Sequence, residues 1–398
     1  MNKTIIIGLA IILLLTMTVN AELGVNWTQA TATAPWAPRG DQASLVFDNK
    51  MWIIGGYDTN TYNNLNDVWY STNGIDWTEA TTSADWPIRD YPGVISFNGK
   101  LWLMGGLANG IDLLNDVWYS TDGVNWTFAG NASWSPRMNF GLISFNNKMW
   151  VIGGYYTDSD VWYSSDGINW TEATASAAWS GRRDLQAIVF NNKMWVIGGN
   201  DGLVKNDVWF STDGITWNET TANADWSPRQ DFGATVFNDK IWITGGTNAV
   251  NPSTEYNDVW YSTDGTTWTE MTDSAPWHAR FNEATLPMLS YNNKLWILGG
   301  LYDFSNWYNL DDVWYSEGPE IIPPASLNIP TETSAASRGN YYYRDANGNI
   351  YTREQIEGTA GKAAPLAMIV PEGEPINNPF TSLWQTIKNF LHGIGVNI

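Results

Sequence analysis

Polar and apolar positions settle into a regular order at Asp41. From Asp41 to Phe47 they alternate and end on apolar residues, as a first strand would. Asp48-Asn49-Lys50 reads as a turn. Met51-Trp52-Ile53-Ile54 is an unbroken apolar run, the pattern of a strand covered on both faces. Gly55-Gly56 ends it where the backbone must turn or pack closely. A polar loop from Tyr57 to Asn66 leads into Asp67-Val68-Trp69-Tyr70-Ser71, a third strand. Asn73-Gly74 is a hairpin signal, and Ile75-Asp76-Trp77-Thr78 is the fourth, outer strand.

The unit then recurs. Gly-Gly returns at Gly105-Gly106, Gly153-Gly154, Gly198-Gly199, Gly245-Gly246 and Gly299-Gly300, in steps of 50, 48, 45, 47 and 54 residues. The third strand returns at Asp116, Asp160, Asp207, Asp258 and Asp312, each followed by Val-Trp and an aromatic residue. A period near fifty in strand-forming sequence predicts a β-propeller with one sheet per repeat. The last unit breaks the pattern, because Ser316-Glu317-Gly318-Pro319 leads to no outer-strand Trp. The missing piece stands at the other end. Gly24-Val25-Asn26-Trp27-Thr28 matches Gly123-Val124-Asn125-Trp126-Thr127 without a gap. The N-terminal segment is therefore expected to supply the outer strand of the sixth sheet and close the ring.

Gly-Gly after an apolar strand, then Asn-Asp-Val-Trp-Tyr, then a Trp in the last strand, resembles the kelch repeat over roughly residues 24–316. One departure is Trp52, Trp102, Trp150, Trp195, Trp242 and Trp296, which take the place of that family's usual aromatic before Gly-Gly. Ser-Thr-Asp-Gly-x-x-Trp is similar to the Asp-box of sialidase-type propellers, one residue shorter between Asp and Trp. The expected fold is all-β: a six-bladed kelch-type β-propeller closed by an N-terminal outer strand, with a small C-terminal extension. A sialidase would need an arginine trio set apart from the repeat, and none stands apart. Galactose oxidase, also a kelch-type propeller, needs copper, His ligands and a Tyr-Cys crosslink. This chain has two His and no Cys. No cofactor or metal is expected.

The ends add boundaries. Residues 1–21 read as a signal peptide: Lys3, an apolar Ile5 to Leu15, then Val19-Asn20-Ala21 before the cut. An uncleaved anchor is the alternative. The propeller then spans 22–318, a linker 319–340, and a C-terminal extension 341–398. In the extension, Tyr341 to Thr352 suggests a hairpin around Asn347-Gly348 and only partly fits a calcium loop, since Tyr343 stands where the first Asp belongs. Phe380, Leu383, Trp384, Ile387, Phe390 and Leu391 share one face of a helix. Membrane contact is expected only through that helix or an uncleaved signal. Export to the cell surface, envelope or medium follows, and sequons such as Asn125 and Asn169 suit it. The net charge of -21 repels phosphate backbones and argues against nucleic acid. Of 26 Trp, nearly all hold fixed repeat positions and read as core.

Candidate chemistry must be sought where the repeat varies. Arg39, Arg89, Arg137, Arg182, Arg229 and Arg280 recur three residues after a Trp and are expected to pair with the recurring third-strand Asp. Asp41, Tyr91, Asn139, Asp184, Asp231 and Asn282 lie two residues past those Arg and are expected to ring the mouth of the central channel, as a solvated entrance or as a site for a cation, basic peptide or sugar. The loops after Gly-Gly share that rim. The last carries Tyr302, Phe304, Trp307 and Tyr308, suited to sugar stacking, protein recognition or covering the ring closure. The expected function is binding of a protein or glycan through this rim, without catalysis. The alternatives are a glycoside hydrolase using Asp41, Asp184 and Asp231, and a purely structural envelope component.

Overall fold

The computed structural model describes residues 22–58, 60–155, 158–248, 253–282, 287–303 and 308–318, and the backbone of 342–345, 350–352 and 366–369. The expected leader, linker and C-terminal helix, with Phe304 and Trp307, lie outside the described residues.

Six four-stranded antiparallel sheets form the blades of a propeller. Blade 1 holds Ala43–Phe47, Lys50–Asp58, Asn63–Ser71 and Trp77–Thr81, in that order from inside to outside. Blades 2 to 5 repeat the order, beginning at Gly93, Gly141, Gln186 and Gly233. Blade 2 also carries a short ribbon, Leu107–Ala108 with Asp112–Leu113. Blade 6 takes Met288–Tyr291, Lys294–Tyr302 and Tyr308–Glu317 from the end of the repeat and Trp27–Thr31 from its start. The seam is antiparallel, with Trp27 opposite Ser316 and Gln29 opposite Trp314. The first strands neighbour one another in sequence around the axis, and the first strand of blade 6 meets that of blade 1. The expected sixfold ring and its N-terminal closure are thus present.

The recurring residues explain why the blades stack. The indole of each second strand receives the hairpin glycine of the next blade: Gly74 lies on Trp296, Gly123 on Trp52 and Gly214 on Trp150. Gly24 does the same at the seam, where an added Cβ would lie 2.6 Å from Trp242. A second set of indoles meets edge to face within each blade. Trp36 sits against Trp77, and Trp277 against Trp27, at centroid distances of 6.0 and 5.9 Å. The N-terminal strand therefore restores to blade 6 the same contacts that the other blades make from contiguous chain.

A buried charge cluster fastens each blade at one end. Arg39, at 0% exposure, forks both carboxylate oxygens of Asp67 at 2.6 and 2.7 Å. Its Nη1 also donates to the Gly55 carbonyl at 3.0 Å, and its Nε to the Ala37 carbonyl. Trp69 Nε1 donates to the same Asp67 carboxylate. Arg229 repeats the set with Asp258, Gly245 and Ser227, and Arg280 with Asp312, Gly299 and His278. The remaining three blades carry the same cluster. One guanidinium thus ties together the incoming loop, the Gly-Gly end of strand two and the start of strand three. The second glycine is needed there. Gly56 has φ +107, and a Cβ on it would lie 2.6 Å from the Gly40 carbonyl oxygen. At the opposite end Lys50, Lys100, Lys148, Lys193, Lys240 and Lys294 lie over third-strand rings, Lys294 at 3.6 Å from Tyr315.

A second unit, Ile322–Ile398, contains a three-stranded sheet. Tyr342–Asp345 pairs with Ile350–Thr352, the arms of the expected hairpin, and also with Leu366–Ile369, which the sequence pattern did not suggest.

Removing one member of a buried, hydrogen-bonded ion pair leaves the other charge uncompensated, at a cost of about 3–5 kcal/mol. Arg229→Ala is expected to lower the unfolding free energy by about that much, measured by denaturant titration. Arg229→Lys should recover only part of it, because an ammonium cannot span both oxygens of Asp258 and the Gly245 carbonyl. A loss below about 1 kcal/mol in Arg229→Ala, the scale of a surface pair, would show that the cluster does not hold the blade.

Candidate functional site

The strand order places the loops after Gly-Gly and the loops between blades on one rim. The six positions two past each Arg sit where these inter-blade loops turn into the innermost strands. Asp41, Tyr91, Asn139, Asp184 and Asp231 adopt left-handed backbone there, with φ between 56 and 61°. Asp and Asn tolerate that conformation because their short side chains bond locally. Tyr91 carries no short polar side chain of that kind.

Asn139 is joined to Asp184, and Asp231, Asn282 and Asp41 to one another, from blade to blade. The Asp184 amide donates to the Asn139 carbonyl and the Asn282 amide to the Asp231 carbonyl, both at 3.1 Å. Asn139 Nδ2 also donates to Asp184 Oδ1. The Asp41 amide donates to Asn282 Oδ1 at 2.5 Å, which crosses from blade 6 to blade 1. Gln230 Nε2 donates to Asp231 Oδ2 at 2.5 Å, and Arg183 Nε lies 3.3 Å from Asp184 Oδ2. Tyr91 is half-buried, and the other five are buried. Asp41, Asp184 and Asp231 are therefore shielded from bulk solvent, and the Asp184 carboxylate meets Asn139 of the preceding blade. Among the described residues, no group of three His, Asp or Glu is arranged to hold a metal.

The loops after Gly-Gly present different chemistry. Tyr62, Ile111 and Leu203 stand at their tips with 78, 80 and 74% exposure. Tyr308 begins the third strand of blade 6 and is about half exposed. It lies at the end of a ring stack: Tyr302 is 5.0 Å from Tyr308 and 5.2 Å from His278, with interplanar angles of 25 and 16°. Of the predicted aromatic group, the structure brings together Tyr302 and Tyr308. His278, Tyr62, Ile111 and Leu203 were not singled out from sequence. A signal existed in each case. His278 occupies a slot that is Ala37, Pro87, Ser135, Ser180 or Ser227 in the other blades, and the other three are apolar residues in loops with no strand periodicity to explain them. The opposite rim exposes Ile75, Val124, Ile168 and Ile215, but these occupy one repeated turn slot that also accepts Thr266.

Charge is tuned unevenly across the two rims. Burial pushes the Asp90 carboxyl up to about 6, and its own backbone N–H and the Asn64 amide offset this only in part. On the other rim, slight burial raises Asp122 and Asp166, but donors outweigh it and hold both at about 2. Those donors are the backbone N–H groups of the two residues that follow the turn glycine, the Asn125 or Asn169 amide, and a Ser hydroxyl. Protein-family models and curated proteins give no match to this chain.

Asp90 predicts a pH dependence of known sign. Its folded pKa lies above the unfolded value, so its contribution is most favourable below about pH 4 and is lost as pH rises through about 6. Asp90→Asn keeps an oxygen for Asn64 and removes the buried charge. The variant is expected to be more stable than the parent by about 2–3 kcal/mol at pH 7.5 and equal to it near pH 3.5, by denaturant titration at each pH. Equal stability at both would refute a buried charge at this position.

Proposed function

We propose that the chain is an exported, non-catalytic propeller of kelch type that binds a protein partner through its Gly-Gly rim. The observation that carries this reading is the exposure of Tyr62, Ile111, Leu203 and Tyr308 at the ends of four different loops on one rim. Apolar anchors spread over four blades suit a broad macromolecular surface better than a compact ligand. The net charge of -21 favours a partner with a basic face. The repeat's Gly-Gly and Asp-Val-Trp grammar supports the kelch assignment, and the apolar Ile5 to Leu15 supports export. Glycoside hydrolysis by Asp41, Asp184 and Asp231 has little support, because at 1–2% exposure these acids are not offered to a sugar.

A glycan is the second reading, favoured by the His278–Tyr302–Tyr308 stack, whose outer Tyr face is half exposed. The test screens the full chain against exported proteins and glycans, then measures Ile111→Ser, Leu203→Ser and Tyr308→Ala against the best ligand by interferometry. Each variant is expected to weaken a protein ligand by about tenfold or more, the scale of an anchor residue, with unchanged thermal unfolding. A glycan ligand weakened by Tyr308→Ala alone would replace the first reading with the second. Unchanged affinity in all three would remove the rim from either.

A further inference from the structure

Blade 2 departs from the repeat in its outer strand, Thr127–Asn131. The residue opposite the third-strand Trp is Glu79, Glu172, Glu219 or Glu270 in four blades and Gln29 in blade 6, all exposed. In blade 2 it is Phe128, opposite Trp118. Phe128 is 51% exposed, and its ring centroid lies 5.2 Å from that of Trp118. A slot that elsewhere holds a solvated polar group has no packing need for an aromatic ring. The stretch from Trp126 to Trp134 is also one residue shorter than Trp77 to Trp86 and its equivalents. It contains Gly130 at φ +134, where an added Cβ would meet nothing within 4 Å, so glycine serves the backbone there and not the packing. The next residues, Asn131-Ala132-Ser133, are an acceptor sequence for N-linked sugar, with Asn131 and Ser133 exposed.

The register puts these features on one face. Asp116 and Trp118 share a face of the third strand, and Trp118 Nε1 donates to Asp116 Oδ2 at 2.7 Å. Residues directly opposite in an antiparallel pair project to the same side. Phe128 is opposite Trp118 and Asn131 is opposite Asp116, and the register shift between Val117 and Trp118 absorbs the extra residue. Asn131 is therefore placed beside the Phe128 and Trp118 rings, about 7 Å along the strand, within reach of one sugar ring held on Nδ2. Sugar C–H groups pack on an aromatic face while the hydroxyls stay in water. The sequons at Asn125 and Asn169 lack this arrangement. Three residues before them stand Asp122 and Asp166, whose carboxylates accept from the Asn125 and Asn169 Nδ2 atoms at 2.9 and 2.8 Å.

We propose that Asn131 is an N-glycosylation site whose first sugar lies on the exposed Phe128 ring. Transfer forms a bond from Asn131 Nδ2 to the anomeric carbon of a lipid-linked oligosaccharide. The lipid pyrophosphate leaves with the bonding pair, and the amide proton passes to a base of the transferase. The proposal rests on the export reading, because such transferases act on exported chains. The full chain is therefore expressed in a eukaryotic secretory host twice, once behind its own leader and once with residues 1–21 replaced by the host's leader. Glycans are removed by an amidase in heavy-oxygen water, which marks each glycosylated Asn as a labelled Asp in peptide mapping. Label at Asn131 is expected in most molecules, and none in Ser133→Ala. In NMR of the intact glycoprotein, ring protons of the first sugar are expected to move upfield of those in a free glycopeptide of the same sequence. They should move back in Phe128→Glu and in Phe128→Ala. A bare Asn131 behind the host's leader would overturn the site. Sugar protons at the free-glycopeptide positions in the parent would overturn its seat on Phe128. Label behind the host's leader alone would uphold the site and remove the export reading.

Discussion

Strand Trp27–Thr31 reaches Tyr308–Glu317 across nearly the whole propeller sequence, and that pairing turns five complete sheets and a partial one into a closed ring. Without it the third strand of blade 6 would present a row of unpaired backbone groups. The seam is more than a ladder of hydrogen bonds. Gly24 fills the notch over Trp242, Trp27 meets Trp277 edge to face, and the Gly24 amide donates to Ser316 Oγ at 2.8 Å. These are the hairpin-glycine and paired-indole contacts found in the other blades, so the seam is built to the same standard as the chain-continuous joints. Every property ascribed to the rim and the axis presupposes it.

Within the closed ring, two kinds of position divide the labour. The Arg cluster fixes where strand two ends and strand three begins in each blade. Because those ends are held by buried charge and glycine geometry, the loops between them can vary in length and content without disturbing the sheets. The short ribbon of blade 2, the Leu203 tip of blade 4 and the ring stack of blade 6 are three products of that freedom. The same clusters set the entry of each innermost strand, and so the contact between Asn139 and Asp184.

Much of the architecture could be read from residue order alone, for a physical reason. Strand period, Gly-Gly, hairpin signals and the displaced Trp27 are local features, and six repetitions make each one unambiguous. The Arg39–Asp67 type of pair was legible for the same reason. The site was less legible. The positions of Asp41, Asp184 and Asp231 on the ring followed from topology, but their burial did not, since it depends on how closely neighbouring blades approach at the axis. The stack of His278 on Tyr302 joins two loops of different blade position, and no local pattern announces such a meeting. Pairing of Leu366–Ile369 beside the hairpin of the second unit is likewise a long-range event.

The most direct test of this account is hydrogen exchange on a chain that begins at residue 32 and so lacks the closing strand. Protection across Tyr308–Glu317 is expected to fall toward that of an open edge, with a marked loss of cooperativity in unfolding, and a peptide spanning residues 22–33 is expected to restore both when added. Undiminished protection and stability in the shortened chain would mean that the ring stands without its N-terminal strand, and the account would be wrong at its base.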